Sequence, residues 1–190
     1  MPTKAREKIR AICLRYPTIT GLLIALFRYI HYFTCMDHAD REILRLLQSD
    51  NRLSNASIGR EVGLSVSAVN ERVRRLNATG TVRANRADID PKALGLNLCA
   101  FLFVDLETSS NKEQAFVAGA AALPEVQEIH HITGSHNYLL KVRVTGTEGL
   151  QSLLSGKLKR LPGLLRTEST VVLQSLKETT ELPIPSDLNN

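Results

Sequence analysis

The sequence predicts an α+β protein in two parts, with helices in the first part and alternating strands and helices in the second. Two observations lead to this prediction. Between Asp37 and Gly80 the apolar residues recur every three or four positions, which is the period of a helix. After Gly95 the pattern changes to short apolar runs separated by turn residues, which is typical of strands.

Composition and charge limit the class of protein. The 190 residues are 43% hydrophobic and 23% charged, which excludes a disordered tail, a fibrous protein and a disulfide-stapled miniprotein. The net charge of +5 lies in residues 1–35, whereas residues 36–85 are weakly basic and residues 86–190 weakly acidic. This division favours a nucleic-acid-binding module joined to a module that does not bind nucleic acid. The cysteines lack metal-site spacing and favour a reducing, cytoplasmic location; they are Cys13, Cys35 and Cys99.

Residues 1–35 begin with basic residues up to Arg15 and continue with the apolar run Ile19–Phe27. Three interpretations are open: a membrane-surface helix, a targeting segment, or an extension before a biological start at Met36. We favour the third, because Met36 directly precedes the first well-patterned helix and no cleavage site follows the apolar run. The run is shorter than the roughly 20 residues that span a bilayer, so we expect no stable membrane association.

Three helices are predicted in the first part. The first covers Asp37–Ser49, with acidic residues near its N-terminus. The second follows Ser54 as its N-cap and ends at Gly63, a residue type suited to left-handed backbone. The third is capped by Ser65 and has a predicted apolar stripe of Val66, Val69, Val73 and Leu76.

A helix, a short glycine-containing turn and another helix form a helix-turn-helix, which inserts its second helix into the major groove of DNA. Arginine and asparagine can bind phosphates and base edges, and a serine-rich helix N-terminus suits a phosphate. The alternative is a solvated helix with a Glu71–Arg75 ion pair. We expect double-stranded DNA as the partner, bound by Ser65, Ser67, Ala68, Asn70, Glu71, Arg72, Arg74 and Arg75.

The second part follows an extended linker strand, predicted from Thr81 to Ile89. Its strands and helices alternate in the order βαββαβ of a ferredoxin-like domain. The strands are predicted at Leu98–Glu107, Val126–Thr133, Tyr138–Thr145 and Leu165–Leu176, and the helices at Lys112–Leu123 and Glu148–Leu161. The predicted division is therefore a helix-turn-helix domain at 36–85, a linker strand at 86–97, a ferredoxin-like domain at 98–184 and a tail at 185–190.

Two further inferences concern partners and chemistry. Strands that are apolar on both sides, such as Leu98–Val104, need cover on the face that helices leave open, which predicts a homodimer formed through the sheet. His130 and His131 are adjacent on a strand and point to opposite faces, so no metal site is expected. Ser135 and His136 lack a nucleophile elbow, so we expect neither an enzyme nor a cofactor.

Short motifs along residues 37–184 resemble, in the same order, the Lrp/AsnC (leucine-responsive regulatory protein) family of transcription regulators. The first half contributes Asp40-Arg41-x-Ile43-Leu44, Leu64-Ser65-x-Ser67-x-Val69-x-x-Arg72-Val73-x-Arg75-Leu76 and Asp90-Pro91-x-x-Leu94-Gly95. The second half contributes Pro124-Glu125-Val126, Gly134-x-x-x-Tyr138-Leu139-Leu140, Pro162-Gly163 and Thr179-Thr180-x-Leu182-Pro183.

The resemblance implies a cytoplasmic regulator of bacterial or archaeal type, with recognition helix Ser65–Arg75 and a RAM-type second domain. That domain would form homodimers, which in many members assemble into octamers, and would bind a small effector, commonly an amino acid. The effector residues, at a contact between dimers, would be Gly134, Ser135, His136, Asn137 and Tyr138.

Two positions depart from the family pattern. Asn137 replaces a common acid that could pair with an amino acid's ammonium group, so a standard amino-acid effector is less expected. Ala68 replaces a common proline, and alanine suits a helix at this position. The alternative to a regulator is a ligand-binding or enzymatic protein whose N-terminal helices serve only assembly.

Overall fold

A computed structural model describes residues 36–107 and 109–185. The expectations for residues 1–35 and for the end of the tail lie outside these residues. The described chain divides into two compact units. The first unit holds the chain up to Arg86 together with the segment from Thr180, and the second holds Ala87–Thr179. Among the described helices, none is long and apolar enough to cross a membrane.

Three helices form the first unit: α1 (His38–Ser49), α2 (Asn55–Val62) and α3 (Val66–Ala78). Asp37, Ser54 and Ser65 cap them through side-chain bonds from backbone N–H groups, as expected for these residue types. The helices share a core in which four side chains are almost fully buried: Ile43, Ile58, Val69 and Leu76.

The turn between α2 and α3 depends on two glycines. Gly63 ends α2 with a φ of 68°, in the left-handed region that glycine adopts without strain. A Cβ atom on Gly59 would lie 2.6 Å from the carbonyl oxygen of Leu64. A side chain is therefore excluded at Gly59 unless the turn backbone moves.

The first unit also contains a C-terminal segment that lies against α1. The Gln48 side-chain amide donates to the carbonyl of Leu182 at 2.9 Å and accepts from the N–H of Leu182 at 3.0 Å. The Arg45 guanidinium donates to the carbonyl of Ile184 at 2.8 Å. These three bonds fix the segment by its backbone.

The second unit is a four-stranded antiparallel sheet with helices on one face, and it confirms the predicted α+β class. Its strands lie in the order β2-β3-β1-β4. The elements along the chain are β1 (Leu98–Leu106), α4 (Ser110–Ala121), β2 (Val126–His131), β3 (Tyr138–Val144), α5 (Thr147–Gln151) and β4 (Leu164–Val171).

The two faces of the sheet differ in their cover. On one face, alternate residues of β1 and β3 are buried with Phe116 of α4 and with the helical segment that begins at α5. On the opposite face, Phe101, Phe103 and Leu139 are half-buried. Glu178 lies on this opposite face because it pairs with Lys141 and Arg143, whose side chains alternate with the buried ones.

Three predicted elements differ from the structure. The segment from Thr81 to Ile89 and the linker region 86–97 contain no strand; instead Asp90 and Pro91 begin a 3-10 helix at Pro91–Leu94, which Gly95 ends. The predicted helix at 148–161 is α5 followed by a π-helix and a 3-10 turn. β4 stops at Val171 rather than Leu176. Val171 pairs with Ala100, and β1 has only two residues before Ala100, so it offers no partners for a strand that reaches Leu176.

Candidate DNA interface and effector site

The N-terminus of α3 is held by serine side chains. Ser65 Oγ accepts from the N–H of Ala68 at 3.2 Å and lies 3.1 Å from Ser67 Oγ. Both serines are exposed, whereas Ala68 is half-buried. The first turn of this 13-residue helix therefore presents hydroxyl groups and backbone N–H groups to solvent, an arrangement that suits an anion.

One side of α3 forms an exposed stripe made of Val66, Ser67, Asn70, Glu71 and Arg74, which we call the outer stripe. Arg74 pairs with Glu71 at 2.7 Å, and both side chains are more than half exposed. Asn70 accepts a bond of 3.3 Å from the side-chain amide of Asn55. The outer stripe thus offers arginine, asparagine and hydroxyl groups along about two turns of helix.

Val66 was predicted in the apolar stripe of α3, and that prediction is wrong. Its exposed fraction is 53%, whereas Val69 is fully buried. Val66 is the first residue of the helix, before the point where α3 packs against α1 and α2, so no neighbouring helix covers it.

Arg72 and Arg75 face α1 rather than the outer stripe. Arg72 Nη1 donates to Asp37 at 2.7 Å and to Asp40 at 2.8 Å, and Arg75 pairs with the other oxygen of Asp40. The Asp40 side chain is 1% exposed, and those of Arg72 and Arg75 are 26% and 18% exposed. The structure therefore separates these two arginines from the other predicted DNA-binding residues.

The charges in this cluster stabilise each other. Partial burial opposes ionisation of Asp37, but bonds from the Asp40 N–H and the Arg72 guanidinium outweigh it and hold the pKa of Asp37 below its usual range. The bonds to Asp37 and Asp40 in turn raise the pKa of Arg72. Asp37 and Arg72 are therefore both charged near neutral pH.

The predicted effector turn, residues 134–138, is anchored to β1 by Asn137. The Asn137 side-chain oxygen accepts from the N–H of Leu106 at 2.8 Å, and its backbone N–H donates to Val104 at 3.0 Å. Beside it, His136 Nδ1 lies 3.0 Å from a carboxylate oxygen of Asp105. The side-chain oxygen of Asn137 therefore already accepts a bond from the backbone of β1.

Tyr138 connects the same turn to α4. Its hydroxyl donates to Glu113 at 2.6 Å, and its ring stacks on His131 with 4.8 Å between ring centroids. The bond to the Glu113 carboxylate, together with burial, raises the pKa of Tyr138 to about 12. Tyr138 is therefore a neutral hydrogen-bond donor at physiological pH.

Two open grooves meet at Tyr138. One, of about 480 Å³, runs along β2 and contains His131 and Gln127. The other, of about 500 Å³, runs along α4 and contains Glu113. The two grooves share Val117, Ala121 and Tyr138. Each also has polar lining residues, which are Gln127 and His131 in the first groove and Ser110, Glu113 and Gln114 in the second.

Of the five predicted effector residues, Tyr138 lines these grooves, whereas Gly134, Ser135, His136 and Asn137 are not among their lining residues. Sequence reasoning missed Glu113, Gln127 and His131 as groove residues. Glu113 lies 25 positions before Tyr138 in the chain, so no local spacing connected the two.

The histidines bind neighbouring side chains in the structure. His130 lies 3.0 Å from Glu128, and His136 bonds Asp105. The described part of the chain holds no group of three or more His, Cys, Asp or Glu side chains that could bind a metal ion.

Comparison with known proteins gives matches over both halves of the chain. A family model for the AsnC-type helix-turn-helix domain matches residues 36–77, and one for the Lrp/AsnC ligand binding domain matches residues 99–182. The chain is 34% identical over 149 residues to an HTH-type transcriptional regulator of Pyrococcus horikoshii, covering 78% of this chain and 97% of that protein. It is 36% identical over 150 residues to the leucine-responsive regulatory protein of Escherichia coli K12, covering 78% and 92%.

Solved structures extend the similarity to the fold. A Neisseria meningitidis transcriptional regulator in complex with L-methionine matches with a TM-score of 0.74 and 31% identity, covering 78% of this chain and 97% of that one. The feast or famine regulatory protein of M. tuberculosis, complexed with L-methionine, matches with a TM-score of 0.73 and 32% identity, covering 80% and 100%.

Proposed function

The chain belongs to the Lrp/AsnC family of helix-turn-helix transcription regulators, and we propose that it reads double-stranded DNA with the outer stripe of α3. The observation that carries this proposal is the exposure of Asn70 and Arg74 on one side of a helix whose other side is core. Asparagine pairs with adenine, and arginine binds guanine or phosphate. This role is regulatory, and it needs neither catalysis nor a cofactor.

The proposed interface has two parts. Residues near the N-terminus of a recognition helix lie closest to the base edges, which here are Ser67 and Asn70 together with Val66. Arg74, one turn further along, reaches a phosphate or guanine after exchanging its pair with Glu71. Ser65 and Ala68 keep the first turn in helical geometry, since their mutual bond caps α3.

A binding measurement tests this interface. An operator is first selected from random double-stranded DNA with the full chain, and affinity is then measured by fluorescence anisotropy at several salt concentrations. Affinity falls as salt rises, so the slope of log affinity against log salt is negative. We expect Arg74→Ala to make this slope shallower by about 0.9 if one phosphate contact is lost. Arg166→Ala removes an arginine of similar exposure from β4 and should leave the slope unchanged. Equal slopes together with equal operator affinity for the two variants would remove Arg74 from the interface.

The alternative is a ligand-binding or enzymatic protein in which the N-terminal helices serve only to assemble copies of the chain. Such a protein would bind no DNA in a salt-dependent way. If the full chain selected no sequence and showed no salt-dependent binding, the DNA proposal would fail.

We further propose an amino acid as the effector, bound at the grooves beside Tyr138. The apolar lining residues Val117 and Ala121 suit an aliphatic side chain, and the Glu113 carboxylate suits an ammonium group. Both methionine-complexed regulators above have this fold. Calorimetry with a panel of amino acids tests it: Glu113→Gln should weaken binding, whereas Glu148→Gln, an exposed carboxylate in α5, should not.

The sheet face opposite the helices supports a homodimer, and assembly into octamers follows as a proposal from the family. Phe101, Phe103 and Leu139 lie on this face and stay half-exposed in one chain. We expect Leu139→Glu to give monomers in sedimentation velocity, whereas Leu94→Glu, on the 3-10 turn, should not.

A regulator that binds the chromosome of a prokaryotic cell acts in the cytoplasm, which is the location we propose.

A further inference from the structure

Two helices of the first unit carry matched pairs of opposite charge. Asp37 and Asp40 are three residues apart on the N-terminal end of α1, and Arg72 and Arg75 are three residues apart on α3. Residues at this spacing lie on the same side of a helix. The structure brings the two pairs together, with Arg72 between both carboxylates and Arg75 on Asp40.

The same carboxylates also begin α1. Asp37 accepts from the N–H of Asp40 at 2.8 Å, and Asp40 accepts from the N–H of Asp37 at 3.3 Å, which is a capping box. Asp40 therefore bonds one backbone group and two guanidinium groups, although its side chain is almost completely buried. Such a buried carboxylate is retained only where its partners satisfy it.

From this arrangement we infer that Asp40 is a positioning residue for DNA recognition, which acts by holding Arg72 and Arg75 against α1. The inference rests on the proposed function. It assigns the two arginines to the orientation of α3 and leaves base reading to the outer stripe. The sequence predicted Arg72 among the residues that bind DNA directly, and this inference replaces that role.

The ion pairs fix the rotation of α3 about its axis, which apolar packing alone does not define. Contacts among Ile43, Ile58 and Val69 favour burial without a preferred direction. Charge-assisted bonds from two points on α3 to one carboxylate are directional, so they define the rotation of α3 about its axis. A small rotation would move Asn70 and Arg74 away from the base edges.

The charge balance supports the assignment. Two carboxylates face two guanidinium groups in this cluster, so the cluster adds little positive potential for attracting phosphates. If Arg72 instead bound a phosphate, its replacement would release one counterion fewer and lower the salt slope by about 0.9. The salt slope therefore distinguishes the two roles of Arg72.

The test compares Asp40→Asn and Arg72→Gln in the full chain on three sets of DNA. These are the selected operator, operators with single base changes, and unrelated DNA. We expect each variant to bind the operator about tenfold more weakly. Each should also discriminate less between the operator and its single base changes, and this loss should appear at every base pair that the protein reads. The salt slope should stay unchanged, the binding of unrelated DNA should change much less than the binding of the operator, and the double variant should lose little more than either single one.

Other results would overturn the inference. A salt slope lowered by about 0.9 in Arg72→Gln would identify a phosphate contact, and a loss confined to one base pair would identify a base contact. A purely structural role would reduce the folded fraction and so lower operator and unrelated binding equally. Circular dichroism at the assay temperature gives the folded fraction of each variant.

A rescue variant keeps the test decisive if Asp40→Asn does not fold. A single nitrogen of Arg72, Nη1, bonds both carboxylates. Arg72→Lys keeps the charge and one nitrogen donor but loses the fixed geometry of the guanidinium, so it should restore part of the discrimination lost in Arg72→Gln. If Arg72→Lys discriminated between bases no better than Arg72→Gln, the positioning role of the Asp40–Arg72 bond would be contradicted. If the unaltered chain bound no DNA, the proposed function itself would fail, and the variants would not be needed to show it.

Discussion

Asn137 and Leu106 are joined by a 2.8 Å hydrogen bond from the Leu106 N–H to the Asn137 side-chain oxygen. The bond ties the predicted effector turn to the end of β1, next to the register shift between Asp105 and Leu106. The turn therefore has a fixed position relative to the sheet, and residue 137 has a structural role as well as any role in binding.

Asn137→Asp should strengthen amino-acid binding if the ammonium group reaches the turn that the family resemblance implies. Asn137 does not line the grooves beside Tyr138, so a ligand confined to those grooves with its ammonium group on Glu113 should gain nothing. One carboxylate oxygen can still accept from Leu106, and the second replaces the amide nitrogen with an acceptor for an ammonium group. A charge-assisted bond in place of a neutral one gives about 1 kcal/mol, roughly fivefold in affinity. Calorimetry with a panel of amino acids measures this gain in affinity. Ser135→Asp is the control, because it places a carboxylate elsewhere in the same turn and should not give the same gain. If no amino acid gains affinity, the neutral side chain is not what limits binding.

Tyr138→Phe should destabilise the second unit by about 1 to 2 kcal/mol at neutral pH, since it removes a donor to the Glu113 carboxylate. The pKa of Tyr138, about 12, lies above its usual value of 10, so folding favours the protonated hydroxyl. This stabilisation is fully present below pH 10 and is lost as the pH rises towards 12. Urea denaturation of both proteins at pH 8, 10 and 11.5 should show the difference shrinking, and a constant difference would contradict it.

Val66 should contact a thymine methyl group. It is an exposed apolar residue at the start of α3, the helix proposed to read DNA, and apolar side chains in the major groove distinguish thymine by its methyl group. Replacing the contacted thymine by uracil should weaken binding by about 1 kcal/mol, roughly fivefold. In Val66→Ser the same replacement should have no effect. Anisotropy with singly substituted operators measures this, and an unaltered chain that is insensitive to uracil at every position would exclude the contact.

Gly59→Ala should destabilise the first unit by about 1 to 3 kcal/mol, because its Cβ would lie 2.6 Å from the Leu64 carbonyl oxygen. Gly156→Ala is the matched control, since its Cβ would meet Ser152 Oγ at an ordinary 3.9 Å. Alanine is also the better residue for a helical segment, so the control should be neutral or stabilising. Thermal unfolding followed by circular dichroism compares the two, and equal melting temperatures would show that the α2–α3 turn can adjust.

Local signals predicted much of the fold. Ser54, Gly63 and Ser65 were assigned from short-range capping rules, and the structure confirms all three, because a cap depends on residues within one turn. The order of strands and helices in the second unit was predictable for the same reason, since each element has its own period.

The roles of single residues on α3 were less predictable, because they depend on distant parts of the chain. The sequence pattern predicted Arg72 and Arg75 on the exposed side of α3. Their partner Asp40 lies 32 and 35 residues earlier in the chain, so no local signal indicated the ion pairs. Similarly, the pairing that decides where β4 ends belongs to β1, and no signal near Leu176 shows it.

The C-terminal segment on α1 has a consequence for the timing of synthesis. Gln48 bonds Leu182, which follows it by 134 residues, and Arg45 bonds Ile184, 139 residues later. At about 5 to 20 residues per second, a ribosome needs roughly 7 to 27 seconds to make the intervening chain. The helices that bind DNA are therefore made first and receive their last contacts only after the whole sheet has been translated. A nascent or truncated chain that stops before Leu182 carries α1 to α3 without this closing segment.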